Sequence, residues 1–259
     1  MKKSTATTAA VAVAVGLLAV TAQAEEKKRS KITIATEGAF PPYNLTKPDG
    51  TLDGYEIELS KYLCEHMKVE CTIVPQAFDG MIPALNAGKF DAIMAGMSAT
   101  EKRKEVIDFS MSYGSTGQAF ATLKGSDLEA LPMKGELFSL ASNEAGARKA
   151  AEELKPLIEG KTIGVQSASI AARFIDEYLK DAVEVREYKT TEQHDLDLIA
   201  GRVDLVMASM GYLKTAVEKP ANSDMVIVGP RFQAASSAPA APWACARATP
   251  SSRPYSTKR

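Results

Sequence analysis

Apolar and polar positions alternate through "KITIATEG", Lys31 to Gly38, as they do on a half-buried strand. In "GYEIELSKYLCEHM" the residues Ile57, Leu59, Tyr62, Leu63 and Met67 recur at mostly helical spacing. "CTIVP" then reads as a second strand, "GMIPALNAG" as a helix ended by Gly88, and "FDAIMAG" as a buried strand. From Lys161 the order returns: "KTIGVQS" as strand, "SIAARFIDEYLKD" as a helix opened by Ser169, "VEVREY" as strand, "QHDLDLIAG" as helix and "VDLVMAS" as strand. Strands alternating with helices build a mostly parallel sheet covered by helices. Two copies of the run predict an α/β fold of two lobes, each such a sheet flanked by helices.

The repeat is visible in the letters as well, since "LNAGKFDAIMAGMS" from Leu85 returns as "LIAGRVDLVMASMG" from Leu198. Gly88 and Gly201 stop equivalent helices, and Asp91 and Asp204 open equivalent buried strands. Ligands in open α/β sheets collect beyond the carboxyl ends of the strands. Those ends are Gly96 to Ser98 in one copy and Ala208 to Ser209 in the other, so two facing lobes would bring both to one cleft. Duplicated packing alone accounts for the apolar positions but does not call for small polar residues at both strand ends.

The chain begins with Met1, Lys2 and Lys3, continues with an apolar run from Ala9 to Val20, and reaches small residues at Ala22 and Ala24. A basic start, a short apolar stretch and small residues before a charged segment describe a secretory signal peptide, with cleavage expected after Ala24. The apolar run falls short of the roughly 20 residues that cross a bilayer as a helix. The mature product is expected to be exported and soluble. The formal charge of −1, made slightly more negative by loss of Lys2 and Lys3, points to neither nucleic acid nor an anionic membrane as partner. Cys64 and Cys71 stand close together in "CEHMKVEC", where export permits a disulfide; a metal site would want more ligands than His66 supplies.

Several side chains could carry chemistry. In "SATEKR", Ser98 or Thr100 can cap a helix beginning near Glu101, whose free N–H groups suit a carboxylate. Arg103, one turn in, can add a bidentate fork to the same anion, or it can belong to a solvated charge run. Glu37 precedes Gly38 and the aromatic loop "AFPPYN" with Phe40 and Tyr43. An acid beside aromatic rings suits a cationic or guanidinium group, although a turn acid near a packed loop reads the same way. Phe78 can be core or pocket wall. His66 and His194 lie on predicted helices away from any nucleophile motif, and no catalytic, phosphate-loop or dinucleotide fingerprint occurs. Neither cofactor nor metal is expected.

With these residues assembled, the chain resembles the periplasmic amino-acid-binding proteins of ABC importers, family 3 solute-binding proteins, over roughly residues 31–232. The motifs that carry the resemblance are "GYEIELSKYLC", the C-x6-C pair, "FDGMIPALNAGKFDAIMAGMSATEKR", "IDFSMSY", "IGVQSAS" and "AGRVDLVMAS". Within the family it is most similar to lysine/arginine/ornithine, histidine and opine (octopine, nopaline) binders. The resemblance implies a type II periplasmic binding fold, with lobe 1 over 25–118, lobe 2 over 119–230 and hinges near Gly117 to Phe120 and Gly229 to Phe232. The monomer would close over one amino acid or opine and present it to a membrane permease. Arg103 would clamp the α-carboxylate with Ser98 and Gly96, and Ser169 would add a contact from lobe 2. Phe40, Phe78 and Tyr43 would line the side-chain pocket, with Glu37 meeting a distal cation. Many members hold the free α-ammonium with an aspartate where this chain has Ser209; a hydroxyl lacks that charge, which favours a substituted α-amine as in opines. A dehydratase-like enzyme on the same fold and a chemosensory binding protein are the alternative functions.

Residues 231–259 depart from the resemblance. From Gln233 onward the chain has no Ile, Leu, Val, Met or Phe and no acid, so neither a strand nor an amphipathic helix is expected, and the returning segment of lobe 1 is expected to be missing. Regrouping the codons one base upstream makes "PWACARATPSSRPYST" compatible with x-L-G-L-R-K-G-D-T-E-L-K-A-L-F-D, which resembles the family's "GLRK-x-D" segment. A frameshift near codon 233 is therefore expected.

Overall fold

The computed structural model describes residues 30–114 and 116–233, together with the backbone of 242–246. The expected signal peptide and cleavage after Ala24 lie outside the described residues. Lobe 1 opens with β1 (Lys31–Thr36), then β2 (Ala39–Phe40), β3 (Asn44–Thr46) and β4 (Leu52–Asp53). It continues through α1 (Tyr55–Met67), β5 (Glu70–Pro75), a 3-10 turn (Phe78–Gly80), α2 (Met81–Asn86), β6 (Ala92–Ile93), α3 (Glu101–Lys104) and β7 (Ile107–Ser112). Lobe 2 holds β8 (Gln118–Leu123), β9 (Leu137–Ser139), α4 (Glu144–Ile158), β10 (Thr162–Gln166), α5 (Ile170–Tyr178) and β11 (Glu184–Tyr188). It ends with α6 (Thr191–Ile199), β12 (Leu205–Ser209), α7 (Met210–Val217) and β13 (Met225–Gln233), after which β14 (Pro242–Ala246) follows.

The repeated sequence folds into a repeated sheet. Lobe 1 is ordered β5-β1-β6-β14-β7 and lobe 2 β11-β10-β12-β8-β13-β9. In each, the central strand pairs parallel with both neighbours of its own repeat. An antiparallel strand then follows, β14 beside β6 and β8 beside β12. The paired aspartates explain part of the repeat without any ligand. Asp91 Oδ2 accepts from Thr33 N–H at 2.8 Å, and Asp204 Oδ2 accepts from Thr162 N–H at 2.8 Å. Each carboxylate thereby satisfies a backbone donor of the first strand and sets the register of the third. Gly88 and Gly201, at φ 73° and 68°, end the equivalent helices in the left-handed conformation that glycine adopts freely.

Local chemistry starts α5 where the sequence suggests and α6 close to it. Ser169 caps α5 through Ala172 N–H at 3.1 Å. Thr190 and Gln193 form a capping box on α6, which starts two residues before the predicted "QHDLDLIAG". Cys64 and Cys71 are joined in a disulfide that ties the end of α1 to β5. Lobe 2 packs Phe174, Ile175, Leu154, Ile163 and Met207 around Phe232, while Met81, Leu85, Ile93 and Met97 fill part of lobe 1.

Two expectations for the C-terminal segment are corrected. Residues 231–233 are not tail: Arg231, Phe232 and Gln233 pair with β9, and Phe232 is buried in the lobe 2 core. Nor is the rest without a strand, since β14 inserts between β6 and β7, with Cys245 opposite both Ala92 and Asp108. Backbone N–H and C=O groups on the facing edges of β6 and β7 need partners, and a chain lacking Ile, Leu, Val, Met and Phe can still provide them. The remaining tail, 234–241 and 247–259, lies outside the described residues. The two predicted hinge stretches lie on β8 and β13, which run antiparallel with a break in register between Val228 and Phe232.

Candidate functional site

The carboxyl ends of β1, β6, β10 and β12 meet at one cleft between the lobes, a space of about 830 Å³ partly open to solvent. All nine residues proposed from the sequence line it: Glu37, Phe40, Tyr43, Phe78, Gly96, Ser98 and Arg103 from lobe 1, and Ser169 and Ser209 from lobe 2. Clefts with apolar walls and a few convergent polar groups suit small molecules.

Arg103 stands on α3, whose N-terminus is capped by Thr100 rather than Ser98, with Arg103 N–H 3.4 Å from Thr100 Oγ1. Its Nη1 donates to the Ser98 carbonyl and its Nη2 to the Ala168 carbonyl of lobe 2, both at 2.8 Å. The guanidinium carbon lies 5.7 Å from the centre of the Phe78 ring, within range of the attraction between a cation and an aromatic face. Burial, assisted by the charge of Arg173, lowers its pKa to about 10, so it stays cationic at neutral pH.

Glu37 follows β1 at a turn that needs glycine, since a Cβ on Gly38 would fall 2.7 Å from Thr46 Oγ1 at φ 73°. The carboxylate is buried and accepts from Gln166 Nε2 of lobe 2 at 2.6 Å. Burial, opposed by that hydrogen bond and reinforced by Glu56, Asp79 and Glu192, raises its pKa to about 7.

Beneath the cleft, Glu56 holds both loops in place. Its carboxylate accepts from Gly96 N–H at 2.7 Å, from Asn44 Nδ2 at 2.6 Å and from the Tyr113 hydroxyl. Asn44 Oδ1 in turn accepts from Gly38 N–H at 2.7 Å. One buried chain of bonds therefore fixes the turn after Glu37 and the Gly96 loop together. Burial raises the Glu56 pKa despite these three donors.

Known proteins place this architecture. Residues 32–160 match the model of the bacterial extracellular solute-binding proteins, family 3. An octopine-binding periplasmic protein of Rhizobium meliloti is 47% identical over 216 residues, covering 83% of this chain and 73% of the relative. The chain belongs to family 3 of the bacterial extracellular solute-binding proteins. An L-arginine-binding protein of Pseudomonas aeruginosa is 35% identical over 207 residues, covering 78% and 70% of the two chains. Among solved structures, an ancestral arginine-binding protein bound to arginine superposes with a TM-score of 0.70 at 31% identity, over 86% of this chain and 87% of that one. These relatives are binding proteins rather than enzymes, and the fold is that of the type II periplasmic binding proteins.

In this solute-binding protein the lobes touch directly. Besides the bonds from Gln166 to Glu37 and from Arg103 to Ala168, Thr191 Oγ1 donates to the Ala39 carbonyl at 3.3 Å. Phe40 lies between Tyr43 and Tyr212, with ring centres 5.3 and 5.5 Å away. Ser209 Oγ pairs with Thr116 Oγ1 at 2.7 Å and does not cap α7. Sequence reasoning missed Gln166, Thr116, Tyr113 and Glu56. Gln166 was legible as the end of a strand in the second repeat. Glu56 was not, because an acid in the first turn of a helix reads as a solvated partner of the helix dipole.

Proposed function

We propose that this chain is an extracytoplasmic receptor that captures an arginine-derived opine of the octopine type and delivers it to the permease of an ABC importer. The observation that carries the reading is the hydroxyl pair of Ser209 and Thr116, 2.7 Å apart on the cleft wall; by the family resemblance, Ser209 stands where many members carry an aspartate for a free α-ammonium. Two hydroxyls donate and accept hydrogen bonds without fixing a charge, which suits a secondary amine carrying its own carboxylate. The 47% identity to a protein named for octopine supports the same ligand class.

Arg103, with Ser98 and the Gly96 loop, takes the α-carboxylate, and Ser169 approaches from lobe 2. Phe40, Tyr43 and Phe78 flank the side chain, and Glu37 meets the guanidinium. Ligand contacts to both lobes favour the closed arrangement, which is what a ligand must do to shift an equilibrium between open and closed forms. The receptor works as a periplasmic monomer after removal of residues 1–24, and lobe 1 and lobe 2 divide near residue 118.

Calorimetric titration with octopine, nopaline, arginine, lysine and histidine tests the reading. Octopine or nopaline is expected to bind at least tenfold tighter than arginine, and Ser209→Asp to reverse that order. Arginine binding as tightly as either opine would overturn the assignment, leaving an arginine receptor. Ligand recovered in altered form after release would instead indicate an enzyme.

A further inference from the structure

Among the described residues the ionisable groups that raise Glu37 are acids, of which Glu192 is itself paired with Lys219 at 2.7 Å. Glu56 faces it from α1, Asp79 from the turn at Phe78–Gly80 and Glu192 from α6, while Gln166 from β10 contributes a neutral amide. The cleft cation, Arg103, directs Nη1 and Nη2 to the Ser98 and Ala168 carbonyls. Glu37 itself is 9% exposed, and Gln166 Nε2 is shared between its Oε1 and the Lys189 carbonyl, at 2.6 and 3.1 Å. A carboxylate so enclosed pays for its charge in lost hydration, among acids that disfavour it further.

We propose that ligand capture is proton-linked: Glu37 carries a proton while no cation lies beside it, and releases that proton to solvent as the ligand's cationic end arrives. The inference rests on reading the cleft as a receptor for a cationic ligand. The exchange balances simply: the carboxyl O–H bond breaks, the proton leaves to buffer, and the guanidinium becomes the counter-ion of the carboxylate. The raised pKa of Glu37, about 7, agrees with this geometry and sets the range in which the effect appears. Affinity for a cationic ligand should be flat above that value and fall by up to about tenfold for each further pH unit below it. Capture would then favour a near-neutral environment and weaken in an acidic one.

The test is calorimetry with arginine and octopine between pH 5.5 and 8, at each pH in two buffers of different ionisation enthalpy. The expected result is a Kd that rises about tenfold from pH 8 to pH 6, with about half a proton released per ligand at pH 7. Citrulline, whose neutral urea replaces the guanidinium, should show neither effect if it binds. In Glu37→Gln any residual arginine or octopine binding should lose the slope. Binding of arginine or octopine with a constant Kd and no proton release overturns the proposal while leaving the receptor intact. Retention of the full slope in Glu37→Gln also overturns it, by moving the proton to another group. Failure of every cation to bind at any pH removes the receptor reading and the proposal with it.

Discussion

Glu37 also makes a prediction for the protein without ligand. Its pKa is about 7 in the folded chain against an ordinary value of 4.5, so between those values the folded state holds more protons than the unfolded one. Stability must therefore fall as pH rises through that window, and the penalty is complete above pH 7. At about 1.4 kcal/mol per pH unit, the gap is worth at most about 3 kcal/mol. Glu37→Gln keeps an oxygen that can accept from Gln166 but cannot ionise. Its stability advantage over the parent should grow by up to about 3 kcal/mol between pH 4.5 and pH 8, a large part of the roughly 5–15 kcal/mol that holds a domain folded. Glu56, raised in the same direction, remains in both proteins, and its interaction with Glu37 is part of the difference measured. Urea unfolding followed by far-ultraviolet circular dichroism, at half-unit pH steps in the absence of ligand, measures the difference directly. Parallel stability curves for parent and variant from pH 5 to pH 8 would show that Glu37 titrates as a solvated acid, and the account of its burial would fail.

Arg103→Lys replaces a planar fork with a point charge and removes one of the two carbonyl contacts, so opine or arginine affinity should fall at least about 30-fold, or about 2 kcal/mol, in calorimetry. Replacing Cys64 and Cys71 together by serine should cost about 2 kcal/mol in urea unfolding, because the bridge closes only a short loop; an unchanged midpoint would argue against that contribution. Replacing residues 234–259 by the segment read one base upstream should raise the melting temperature by at least about 5 °C, since Val106 and Met111 stand 45% and 77% exposed around β7, the edge strand of lobe 1. A melting temperature unchanged or lowered by that replacement would show that the tail as it stands completes the lobe, and resequencing across codons 225–259 decides which frame the gene carries.

Much of the architecture was legible because it is local. Ser169 and Gly201 announce a helix start and stop by chemistry that acts within one turn, and alternating apolar runs of strand length bounded by such signals leave few arrangements besides parallel sheets. The tail was misjudged for the converse reason. β14 pairs through its backbone with edges made by residues more than a hundred positions earlier, and side-chain composition says little about a slot that the rest of the sheet creates.

Sequence alone determined the two α/β lobes, the repeat that relates them and which side chains stand at the strand ends, since each follows from periodicity, caps and spacing along one chain. Tertiary structure decided what those side chains experience. That Glu37 meets Gln166 across 129 positions, that Arg103 reaches the Ala168 carbonyl of the other lobe and that Glu56 is buried under three donors are consequences of which surfaces close on each other. Burial and pairing set the charge state of a group, and neither is a property of its neighbours in sequence.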